Sequence, residues 1–218
     1  SNTNTKLLAI IANERGATDA VQHNAIDYLG FPFSVSETFQ LRNTNSTRAE
    51  SLARVAAIQS LCQVHDKTLV VYLSMGFGNP YGDPYNESIL QEWAEQMAKL
   101  GIEIVSLADT VGIANPQQVY TATKELIRAY PEISIGVHLH ARADQWRDKL
   151  QAALDAGCTR IDGAIKGIGG CPMAQDDLVG NMDTSLMIPY LNQKQLLPDM
   201  NHTALVNAIQ MADQIFTH

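Results

Sequence analysis

An alternating α/β chain built on a parallel sheet is the fold class this sequence predicts, and three observations predict it. Short apolar runs recur along the 218 residues, each the length of a strand buried on both faces. Longer segments with apolar residues at helical spacing stand between them. Polar residues gather directly after the apolar runs: Asn13, Glu37, Ser74, Asp109, His138 with His140, and the Gly170–Cys171 loop. Six strand–loop–helix units in unbroken alternation imply right-handed crossovers, and hence either a doubly wound sheet or a (β/α)8 barrel. In a barrel the C-terminal strand ends converge on one face, where active sites are built. No G-x-G-x-x-G turn follows the first strand, so a dinucleotide fold is disfavoured.

The elements follow in order. Lys6–Ala12 is the first apolar run, closed by Asn13-Glu-Arg-Gly16, with a short helical stretch from Thr18 to His23. Ile26–Ser36 holds the second strand, in which Phe31, Phe33 and Val35 alternate. An Asn- and Thr-rich loop leads into an amphipathic helix from Arg48 to Val64, whose stripe is Leu52, Val55, Ala56, Ile58 and Leu61. Thr68–Ser74 is the third strand, and glycines and prolines make Met75–Pro84 a loop. Asn86 caps a helix that Gly101 stops, and Ile102–Leu107 is the fourth strand. Asn115-Pro116 starts the next helix, because proline suits the first helical position. The strand from Ile133 carries His138-Leu-His140, a helix runs from Asp144 to Ala156, and Thr159–Ala164 is the last strand. Helices at Asp183–Leu191 and His202–Thr217 finish the chain.

Composition narrows the class without choosing a function. With 45% hydrophobic residues the chain is long enough for one well-buried domain over 1–218, and residues 1–5 read as disordered or as a cloning remnant. No apolar run has the length of a membrane span. A net charge of −8 and the lack of a basic cluster argue against nucleic acid and membrane surfaces as partners. Cys62, Cys158 and Cys171 form no pairing pattern, so a reducing, cytoplasmic setting is expected. Cys62 and Cys158 fall on helices as core residues, and His23, His65, His202 and His218 read as surface.

His138 and His140 project to the same face of their strand, since side chains alternate with a period of two. Two imidazoles at a strand end can take adjacent corners of a metal's coordination sphere. They can equally be a structural pair bonded to loop carbonyls. Asp109 before Thr110 has a turn-bonding alternative, Cys171 a buried apolar one, and Asn181 after Gly180 that of a turn residue or helix cap.

Taken together, several strings are similar to one family. These are Ser106-Leu-Ala-Asp109-Thr-Val-Gly, His138-Leu-His140, Gly167-Ile-Gly-Gly-Cys171-Pro-Met-Ala and Gly180-Asn181, with Ser36-Glu37-Thr38-Phe39, Arg42-Asn43-Thr44-Asn45 and Tyr72-Leu-Ser74. From about Leu7 to Tyr190 the chain resembles 3-hydroxy-3-methylglutaryl-coenzyme A (HMG-CoA) lyases, of the metal-dependent lyase and synthase superfamily on the TIM barrel. The resemblance implies a pyruvate carboxyltransferase-like barrel domain and a divalent cation, Mg2+ or Mn2+, on His138, His140 and Asn181. It implies Cys171, Asp109 and His138 as catalytic residues, while Asn13, Glu37, Asn43 and Ser74 are read as lining a substrate pocket from their places near the strand ends. An acyl-CoA is the implied substrate, cleaved by a retro-aldol step to acetyl-CoA and acetoacetate, and a homodimer is left open.

The chain also departs from that family. Two opening β-α units of the family, carrying an Arg-Asp pair and a glutamate, have no counterpart here, so six units stand where eight close a barrel. Ala141-Arg142-Ala143-Asp144 replaces an Asp-Thr-Tyr-Gly run, Asn79 stands where a cysteine is frequent, and the segment from Cys171 to Asn181 is one residue longer. A related aldol or Claisen-type enzyme on another acyl chain, and a partial barrel that only binds metal or ligand, are the alternatives.

Overall fold

The computed structural model describes residues 4–170 and 179–216. Six strands form one parallel sheet in the order of the chain: β1 (Leu7–Ile10), β2 (Ile26–Ser34), β3 (Thr68–Ser74), β4 (Ile104–Asp109), β5 (Ser134–Leu139) and β6 (Arg160–Asp162). A doubly wound sheet would reverse its order at a switch point. This one never does, so the fold is an open, barrel-type sheet of six β/α units.

The helices α1 (Glu14–Val21), α2 (Glu37–Thr44), α3 (Arg48–Val64), α4 (Glu87–Lys99), α5 (Pro116–Ala129) and α6 (Trp146–Asp155) connect the strands, and α7 (Thr184–Gln193) and α8 (His202–Ile215) follow β6. Their starts carry local signals. Thr47 with Glu50 and Asn115 with Gln118 form capping boxes, and Asn13 and Asn86 accept from the backbone three residues on. None of these helices is long and apolar enough to cross a membrane.

Two elements depart from expectation. Helix α2 occupies part of the Asn- and Thr-rich stretch read as loop. Its amphipathic pattern is weak, and its first turn is held from a distance. The Asp83 carboxylate accepts from Ser36 Oγ at 2.5 Å, Thr38 N at 2.9 Å and Thr38 Oγ1 at 2.8 Å. Strand β6 is half the expected length, because beyond it Ala164 pairs with the chain around Met182 instead of with β5 (Ala164 N to Met182 O 3.0 Å, Thr184 N to Ala164 O 2.8 Å). The segment 179–183 is thereby inserted between the ends of β5 and β6.

Register separates the two faces of the sheet. Phe31, Phe33, Leu69, Val71, Leu73, Val105, Leu107, Ile135, Val137 and Leu139 form one buried apolar layer. The opposite face carries Pro32, Tyr72, Ser74, Ala108, His138, Arg160 and Asp162, which line a cavity of about 1520 Å³. Cys62 and Cys158 are buried as expected, and burial pushes both thiols up to about 11. His23 and His202 are exposed, His65 is half-buried, and His218 lies outside the described residues.

Candidate active site

The site is assembled at the C-terminal ends of β3 to β6 around His138 and His140. Their rings are 5.4 Å apart between centroids and both border the large cavity. His140 is 5% exposed, and its Nδ1 lies 2.9 Å from the carbonyl oxygen of Val179. A carbonyl only accepts, so Nδ1 carries the hydrogen and Nε2 keeps its lone pair. His138 is less enclosed. Its Nδ1 lies 3.5 Å from Asp162 Oδ2, and its ring stands nearly perpendicular to that of Tyr72, 5.8 Å between centroids.

Asn181 reaches the same cavity from the inserted segment. It bridges His140 in the backbone, where Ala141 N donates to Gly180 O at 3.1 Å and Met182 N to Leu139 O at 3.2 Å. Its Nδ2 donates to Ile168 O at 2.9 Å, which fixes the amide's orientation because that carbonyl needs a donor. The other end, Oδ1, is buried without a hydrogen-bond partner among the described residues. A buried, unsatisfied carbonyl oxygen is costly, and a cation is one partner that would satisfy it. Among the described residues no three His, Cys, Asp or Glu side chains form a metal-binding group. The donor set present is therefore two imidazoles and one amide oxygen, which fits a divalent cation that takes mixed nitrogen and oxygen ligands.

Two glycines let the segments approach so closely. A Cβ on Gly180 would stand 2.7 Å from Gly167 O, and one on Gly167, at a φ of +65°, would stand 2.8 Å from Asn181 O. We expect Gly180→Ala to cost about 1–3 kcal/mol through backbone displacement. A urea unfolding midpoint indistinguishable from wild type would contradict this packing.

Asp162 completes the polar wall. Besides facing His138, it lies 3.5 Å from Ser106 Oγ, and together with burial its charge raises the Tyr72 hydroxyl well above the usual phenol range. Burial holds His140 below the usual 6.5. The unfolded chain then binds more protons as pH falls, so stability from neutral His140 is complete above about 6.5 and is lost as pH drops through the folded value. The urea midpoint of wild type should fall more between about pH 7 and 5 than that of His140→Gln. Parallel curves for the two proteins would remove this linkage.

The other expected site residues scatter. Asn43 and Ser74 line the cavity with His138, His140 and Asn181. Asn13 does not; it caps α1, accepting from Gly16 N at 2.9 Å. Glu37 does not either, since it pairs with Arg48 Nε at 2.6 Å and ties α2 to α3. Asp109 is 1% exposed beneath the cavity floor, bonded to Lys149 Nζ at 2.8 Å and near Ala114 N at 3.2 Å. Cys171 lies outside the described residues, next in sequence to cavity-lining Gly170. Sequence reasoning missed Asp162, Tyr72 and Lys149. Lys149 offered a signal, since it interrupts the buried stripe of α6, whereas Asp162 comes to His138 only through the β5–β6 register.

A family model described as HMGL-like matches residues 1–212. The chain belongs to the HMGL-like family. It is 30% identical over 206 residues to the hydroxymethylglutaryl-CoA lyase YngG of Bacillus subtilis, covering 94% of this chain and 68% of that protein. It is 28% identical to the mitochondrial hydroxymethylglutaryl-CoA lyase of Mus musculus, over 90% of this chain and 60% of the mouse protein. Among solved structures, an HMG-CoA lyase from Acinetobacter baumannii in complex with coenzyme A and 3-methylmalate superposes with a TM-score of 0.86. That match has 28% identity and covers 98% of this HMGL-like chain and 69% of the other. The relatives are thus carbon–carbon lyases by name, and the chain spans about two thirds of their length or less.

Proposed function

We propose that this HMGL-like protein is a divalent-metal-dependent carbon–carbon lyase acting on 3-hydroxy-3-methylglutaryl-CoA in the cytoplasm, giving acetyl-CoA and acetoacetate. One observation carries the reading: Asn181, whose buried Oδ1 has no hydrogen-bond partner among the described residues, lines the same large cavity as the two imidazoles His138 and His140. These three side chains would hold Mg2+ or Mn2+. When bound, the cation supplies Lewis-acid polarisation of the substrate hydroxyl.

In retro-aldol cleavage the C3 hydroxyl loses its proton, the C2–C3 bond breaks to leave a ketone and a thioester enolate, and C2 then takes a proton. Asp162 faces Nδ1 of His138, so it would orient that ring, with its other nitrogen toward the cation, and stabilise positive charge drawn onto it. Cys171 is the thiol assigned to return a proton to C2. Asn43 and Ser74 line the space left for the acyl chain. Asp109 is assigned an indirect part, since its carboxylate supports the floor and does not border the cavity.

The test is release of coenzyme A from 3-hydroxy-3-methylglutaryl-CoA, followed with a thiol reagent, with Mg2+ or Mn2+ and with chelator. Metal-dependent release supports the assignment; release that ignores chelator, or no release, overturns it for this substrate. The Ala141-Arg142-Ala143-Asp144 run favours a second reading, in which the same cleavage acts on another 3-hydroxyacyl-CoA. A panel of such thioesters separates the two.

A further inference from the structure

Lys149 is a lysine where α6 calls for an apolar residue. It lies among buried Leu150, Ala152 and Ala153 and is itself 2% exposed. An ammonium has three hydrogens, and all three have partners here: Asp109 Oδ2 at 2.8 Å, His140 O at 2.9 Å and Gly112 O at 3.0 Å. Removing such a charge from water is costly, and an apolar pair in its place and that of Asp109 would fill the same volume without that penalty.

The partners of the ammonium form a closed ring of contacts. From Lys149 the ring passes to the carbonyl of Gly112, in the turn after β4. Gly112 is packed so closely on Val179 that a Cβ there would stand 2.7 Å from Val179 Cγ1. Val179 in turn accepts from His140 Nδ1, and the His140 carbonyl returns to Lys149. His140 is thus gripped at both ends, by its backbone oxygen and by its ring nitrogen, and Lys149 is common to both arms. Asp109 neutralises the ammonium that makes the grip.

We infer that Lys149 is a positioning residue that sets the His140 imidazole, in the Nδ1–H tautomer, to donate Nε2 to a divalent cation. This rests on the metal-site reading above. It assigns Lys149 no contact with substrate and no proton transfer.

The test uses Mn2+ alone as probe, titrated calorimetrically into wild type and into Asp109→Leu/Lys149→Met, which removes both charges together and so leaves no unpaired buried charge. The double variant is expected to unfold near the wild-type urea midpoint yet bind Mn2+ about 10–100-fold more weakly. In the metal-free protein, long-range 1H–15N correlation spectra should show the His140 ring changing from one tautomer to a mixture. Mn2+ affinity and tautomer both equal to wild type would overturn the inference and leave the metal site standing. Wild type that does not bind Mn2+ would overturn both. Should the apolar pair not fold, Asp109→Asn/Lys149→Gln takes its place, since it keeps neutral donors too short to reach His140 O. The same loss of affinity and of the single tautomer is expected of it, and wild-type values for both would again overturn the inference.

Discussion

Asp109→Ala, made alone, is expected to lower the free energy of unfolding by about 3–5 kcal/mol, the range seen when one member of a buried ion pair is removed. Lys149 and Asp109 are 2% and 1% exposed, so no water takes over from the lost carboxylate. Ala114 N, which lies 3.2 Å from Asp109 Oδ1, loses its acceptor at the same time. The Lys149 ammonium would retain only the two carbonyls of Gly112 and His140. Urea denaturation measures this directly. A loss below about 1 kcal/mol, the scale of an exposed pair, would mean that the pair is hydrated in solution and that the floor of the site is not built on it.

The second large effect concerns the site itself. His140→Ala is expected to abolish Mn2+ binding within the calorimetric range, at least about 100-fold and beyond what outer-shell changes cause. The fold should survive, with a stability loss of about 1–2 kcal/mol for the Val179 hydrogen bond and the buried ring. Circular dichroism beside the titration distinguishes the two. Unchanged Mn2+ affinity in a folded His140→Ala protein would remove His140 from the candidate ligands, and Asn181 Oδ1 would then need another explanation for its missing partner.

How much of this was legible in the sequence follows from how local each signal is. The six strands and most helices announce themselves through period and capping residues within a few positions, as with Thr47 and Glu50 or Asn115 and Gln118. Helix α2 did not, because its apolar pattern is weak and, although Ser36 caps it locally, its first turn is also held by Asp83, more than forty residues away. His138, His140 and Asn181 were visible as chemistry and through the family resemblance, and the structure brings all three to one cavity wall. Asn13 and Glu37 also followed strands, but one is consumed in a cap and the other in an ion pair. Lys149 needed the tertiary fold. Its partners come from the turn after β4 and the ends of β4 and β5, and nothing in a run of one helix names them.

The clean division between the two faces of the sheet has a consequence for how this protein can change. Along β5 and just past it, Val137 and Leu139 belong to the apolar layer, while His138 and His140 belong to the cavity. A saturation scan through this stretch should alternate position by position between variants that lose the fold and variants that keep it while losing chemistry. New specificities are then reachable by substitutions at cavity-face positions such as Pro32, Ser74 and Ala108, each of which leaves the neighbouring core residue untouched. The sheet's period of two separates evolvability from stability.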